Sequence, residues 1–81
     1  MTVQLRFFAS LRERLRAREA ERAVPDGCTV GELWAALCRE HPEIEPMSAS
    51  MSFAVNREYV DRDHRLADGD ELALIPPVSG G

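Results

Sequence analysis

The sequence contains no lysine, and all ten of its basic residues are arginine. Such a chain has no side-chain amine for Schiff-base chemistry or for accepting an isopeptide bond, so any catalytic lysine must belong to a partner. Long apolar runs are also missing. No stretch is long enough to span a bilayer, and Arg6 interrupts the start MTVQLRFFAS, which therefore lacks a signal-peptide core. The expected location is the cytoplasm, with no membrane partner. Cysteine is scarce: Cys28 and Cys38 fit neither a CxxC redox pair nor a zinc spacing, which points to free thiols in a reducing compartment. A net charge of −4 argues against a nucleic-acid partner, which requires a concentrated basic face, and the RERLRARE stretch mixes signs at helical spacing as a solvated face does. No nucleophile–base pair, phosphate-binding glycine loop or carboxylate dyad is present. His41 and His64 stand outside any metal-ligand spacing, and Asp68-Gly69-Asp70 is far shorter than the roughly dozen residues of a calcium loop. The chain is expected to hold no metal, no bound cofactor and no catalytic centre of its own.

What is present is an ordinary globular pattern, 44% apolar and 30% charged, enough for one small domain. Residues 3–8, VQLRFF, alternate as a half-buried strand, with Phe8 as a large apolar residue on the polar side. Ser10 and Glu13 read as a capping box opening a short helix with Leu11 and Leu15 inward. Residues 20–24 form a weak second strand, and Pro25-Asp26-Gly27 a turn. The strongest signal is CTVGELWAALCREHP. Thr29 and Glu32 make a second capping box, Cys28 can staple onto Leu33, and Val30, Leu33, Trp34, Leu37 and Cys38 form one helical stripe that Pro42 terminates. Residues 43–51 read as a loop. SFAVNREYV gives two short strands around Asn56-Arg57. Asp68-Gly69-Asp70 is a turn, and Glu71–Ile75 is the last strand, Leu72 and Leu74 inward, Ala73 and Ile75 outward. The order predicts an α+β fold of the ubiquitin-like β-grasp kind: a mixed sheet on one main helix, with an extra short helix after strand one. The domain is expected over residues 1–75, followed by a flexible tail, 76–81, PPVSGG.

That tail carries the chemistry the rest of the chain lacks. Pro76 and Pro77 hold it extended. Gly80 and Gly81 add no side-chain bulk, so a narrow tunnel could admit the backbone and nothing wider. A terminal carboxylate is inert until activated. Once ATP converts it to an acyl-adenylate, a sulfur nucleophile can leave a terminal thiocarboxylate.

With FFASLRE after strand one, AVN in the hairpin and LADGDELALIPPVSGG at the end, the chain resembles the small subunits of molybdopterin synthase, the MoaD-type sulfur carriers. The similarity runs nearly end to end and is weakest over residues 16–27 and 42–51. It implies a non-catalytic sulfur-donor subunit whose Gly81 is adenylated with ATP by a ubiquitin-activating-type enzyme and converted to a thiocarboxylate by a sulfurtransferase. The tail, Pro76, Pro77, Val78, Ser79 and Gly80, would then thread into a large subunit, forming a heterotetramer in which sulfur passes to cyclic pyranopterin monophosphate. Phe8, Tyr59 and Ile75 fall where that family docks its partners, although Tyr59 departs from the aliphatic residue expected there. A thiazole-pathway sulfur carrier and a ubiquitin-like protein modifier are the alternatives.

Overall fold

Alternation in the first strand decides which side of the sheet becomes the interior. Val3, Leu5 and Phe7 are buried while Gln4 and Arg6 are exposed, because successive strand side chains point to opposite faces. The computed structural model describes residues 1–77. The elements run β1 (Thr2–Phe7), α1 (Ala9–Leu15), β2 (Glu19–Ala23), α2 (Val30–Glu40), a 3-10 helix (Pro42–Ser50), β3 (Ser52–Val55), β4 (Glu58–Val60) and β5 (Glu71–Ile75). The strands form one sheet in the order β2-β1-β5-β3-β4. β1 and β5 are parallel, and the other neighbours are antiparallel. This is the β-grasp arrangement the sequence predicts.

Val3, Leu5, Phe7, Phe53, Val55, Leu72 and Leu74 from the sheet share one buried cluster with Val30, Leu33, Trp34 and Leu37 of α2. The Trp34 and Phe53 rings meet edge-on, 6.0 Å between centroids, and the Trp34 indole N–H donates to Ser48 Oγ at 2.7 Å, so the one polar atom of the indole stays satisfied. Cys38, at the margin of the stripe, is half-buried.

The α2 start is saturated with hydrogen bonds. Thr29 and Glu32 form the expected capping box, Glu32 N–H to Thr29 Oγ1 at 3.1 Å and Thr29 N–H to Glu32 Oε1 at 2.9 Å. Val30 and Gly31 donate to the carbonyls of His64 and Arg62. Gly31 allows that approach, since a Cβ there would lie 3.2 Å from the Arg62 side chain.

Three expectations need correction. Ser10 does not cap α1: Phe8 occupies the N-cap position without a side-chain bond, and Ala9 takes a left-handed φ of 49°. Leu11, on the same helix, is fully buried. Residues 43–51 are not an open loop, because nearly all of them lie in the 3-10 helix. Pro42 suits a first helical position, and Ile44 is fully buried, which anchors the segment despite Pro46. Pro76, expected in a flexible tail, is fully buried; its ring continues the inward alternation of Leu72 and Leu74. Val78, Ser79, Gly80 and Gly81 lie outside the described residues.

Candidate functional site

The entry of β5 is fixed by its turn. Asp68 Oδ1 accepts from Thr2 N–H at 2.7 Å, and Asp70 Oδ2 accepts from Ala67 N–H at 2.8 Å. Asp70 Oδ1 accepts from Asn56 Nδ2 at 2.9 Å, while Asn56 Oδ1 accepts from Glu71 N–H at 3.0 Å. Asp68 thus holds a backbone donor and Asp70 both a backbone and a side-chain amide donor, which is turn chemistry. Gly69 takes the left-handed φ of 86° that the turn requires. With its start pinned to β1 and to the β3–β4 turn, β5 leaves the sheet only at its Ile75 end, and Pro77 beyond it is exposed.

The register around β5 creates a groove on the outer face. One row across the sheet reads Arg6, Ala73, Ala54, Tyr59. Two alanines between two long side chains leave a trough. Its lining also includes Phe8, Ile75, Glu71 and Arg57, around a volume of about 370 Å³. Phe8 is 37% exposed and Tyr59 76%, the two large apolar side chains exposed among the described residues. Arg6 lies between the charged and apolar parts of the rim, 3.8 Å from the Glu71 carboxylate and 5.8 Å from the Phe8 ring centroid. The three residues singled out by sequence as partner-docking, Phe8, Tyr59 and Ile75, therefore line the same groove, at the root of the C-terminal arm. Phe8 reaches it from the α1 cap and not from β1, which stops at Phe7.

Sequence reasoning did not single out Arg6, Ala54 or Arg57. The outward phase of Ala73 was readable beside Leu72 and Leu74. Its alignment with Ala54 and Tyr59 follows only from strand order.

Other chemically suggestive residues resolve elsewhere. Cys28 is buried, and desolvation, followed by the nearby Glu32 charge, pushes its thiol above the ordinary value. Its Sγ donates to the Thr29 carbonyl at 3.4 Å. That setting is the reverse of the exposed, electropositive surroundings that activate a cysteine. The saturated α2 N-terminus offers no spare donors for an anion. Among the described residues no group of three or more His, Cys, Asp or Glu could hold a metal ion, and no helix is long and apolar enough to cross a membrane.

Residues 5–81 match the ThiS family. A molybdopterin synthase sulfur carrier subunit from Chlamydomonas reinhardtii is 36% identical over 83 residues, covering 100% of both chains. Among solved structures, small archaeal modifier protein 1 of Haloferax volcanii superposes with a TM-score of 0.80 at 30% identity, over 95% of this chain and 98% of that one. A chain in the complex of subunits 1 and 2 of the molybdopterin-converting factor from Helicobacter pylori gives a TM-score of 0.69 at 27% identity, with both chains covered fully.

Proposed function

The chain belongs to the ThiS family, and on that premise we propose that it is the sulfur carrier subunit of molybdopterin synthase. The observation that carries this reading is the end-to-end similarity to the Chlamydomonas subunit of that name. The outer groove at the root of the arm supports it, because a carrier must be gripped where its tail departs. In this reading the Gly81 carboxylate attacks the α-phosphorus of ATP within a ubiquitin-activating-type enzyme and expels pyrophosphate. The outer sulfur of a sulfurtransferase persulfide then displaces AMP to give an acyl disulfide, and a second thiol cleaves its S–S bond, releasing the thiocarboxylate and leaving a disulfide on the sulfurtransferase side. The tail through Pro77, Val78, Ser79 and Gly80 delivers that sulfur to cyclic pyranopterin monophosphate in the large subunit, within a cytoplasmic heterotetramer. ATP belongs to the activating enzyme, and the catalytic amines belong to the large subunit.

The test combines the chain with its activating enzyme, ATP and a sulfur source, then measures intact mass. The expected product has one oxygen replaced by sulfur. A variant with one residue added after Gly81 should fail to support molybdopterin formation, since its carboxylate is displaced by about 3.3–3.6 Å where a catalytic constellation tolerates roughly 0.5 Å. Wild-type activity from that variant would end the carrier reading.

A second reading has its own observation, the similarity to the archaeal protein named as a modifier. A modifier would share the adenylate and then form isopeptide bonds to lysines of other proteins. Incubation with cell extract and ATP separates the two: mass-shifted conjugates mark a modifier, a free thiocarboxylate a carrier.

A further inference from the structure

The β3–β4 turn holds an arginine where its backbone favours glycine. Asn56 and Arg57 both have positive φ, 50° and 72°, the signature of a two-residue turn whose second position prefers a residue without Cβ. A left-handed arginine is retained there at a conformational cost. The turn cannot swing away to relax, because Asn56 is locked to Asp70 and Glu71 at 2.9 and 3.0 Å. The Arg57 side chain lines the outer groove beside Tyr59 and Ala54. Arg6, the other arginine of the groove, is committed to Glu71 and Phe8. Among the described residues Arg57 forms no ion pair. The groove therefore presents one uncompensated positive charge on a chain whose net charge is −4.

We infer that Arg57 is a specificity residue for the partner that receives the tail, pairing with an Asp or Glu carboxylate which that partner places beside an apolar side chain seated over Ala54 and Ala73. The planar guanidinium matches a carboxylate bidentately, and the rim of an apolar trough is where such a pair selects a partner and fixes its register. A phosphate polymer would be repelled by the acidic remainder of the chain. The inference rests on the carrier reading, which supplies the partner: the molybdopterin synthase large subunit.

Arg57→Gly separates the fold from the interface because it removes the cost and the charge together. Its melting temperature should equal or exceed that of the wild type, while affinity for purified large subunit falls by roughly tenfold and the salt dependence of binding flattens. Arg57→Lys, which keeps the charge and loses the fork, should bind with intermediate affinity and retain the salt dependence. If the wild type binds and Arg57→Gly binds equally well with the same salt dependence, the inference falls and the carrier reading stands. If the wild type does not bind the large subunit, both fall. A lowered melting temperature for Arg57→Gly would remove the strain argument and overturn the assignment.

Discussion

The two faces of the sheet are built from different material. Toward α2, β5 presents Leu72 and Leu74, both fully buried; toward the other side it presents Ala73 and Ile75, both half-buried. Leu72 and Ala73 are covalent neighbours, yet a core needs volume at the first position and the trough needs its absence at the second. The inner face is large aliphatic side chains closed against a helix. The outer face has small residues at its centre and aromatic and charged side chains at its rim, the composition of a surface that another protein completes. A single strand thus carries stability and presentation on alternate residues.

The sharpest way to break this comparison is to empty the inner face. Leu72→Ala should cost about 2–5 kcal/mol, seen as a large drop in denaturation midpoint, and partner binding should return under stabilising conditions. An unchanged midpoint with binding abolished would reverse the assignment of the faces. Next comes the rim: Phe8→Asp should cost ~2 kcal/mol or more of binding, upwards of tenfold in affinity, with the melting temperature almost unmoved. Loss of folding would instead make Phe8 a core residue. Ala73→Leu mirrors the first change by filling the trough. It should alter stability by no more than ~0.5 kcal/mol while weakening large-subunit binding by about tenfold.

Two smaller effects lie away from both faces. Thr29→Ala removes the side chain that accepts from Glu32 N–H and should cost ~1 kcal/mol of stability, read by denaturant titration, without touching affinity. The smallest concerns Glu40, whose carboxyl is held below its ordinary value by its hydrogen bond from Arg22, with Nη1 to Oε1 at 2.9 Å, followed by the charges of Arg22, His41 and Arg39. A depressed folded-state pKa stabilises the fold above the unfolded value of about 4.3, and the gain is lost as pH falls from there through the lower folded value. Glu40 is exposed and Arg22 half-buried, so screening by solvent keeps the gain slight. Melting curves from pH 6 to 3 should converge for wild type and Arg22→Ala at the acid end. A constant gap across that range would remove the link to Glu40.

Local chemistry that closed within a few residues was mostly legible, the Ser10–Glu13 box being the exception. The Thr29–Glu32 box, the Asn56-Arg57 connection, the Asp68-Gly69-Asp70 turn and the limits of β5 all follow from short-range signals. The left-handed Ala9 did not, because alanine is not a residue that signals a positive φ. The 3-10 helix was hidden by Pro42 and Pro46, which read as breakers until Ile44 finds its place in the core. The groove sits between these cases. Phe8, Tyr59 and Ile75 were named together through the family resemblance, but the trough joining them depends on β5 lying between β1 and β3, a long-range pairing that no local window contains.

That central position also sets how the domain bears a mechanical load. A partner drawing the tail inward pulls along the axis of β5, which is held on one side by β1 and on the other by β3. Their hydrogen bonds are then stretched together in shear, and cannot be peeled one pair at a time as they would be on an edge strand such as β4. Buried Pro76 stands at the point where the load enters, like a stop on a rope. In the proposed carrier role, a pull on the tail would load these bonds together and would not be the event that unravels the domain.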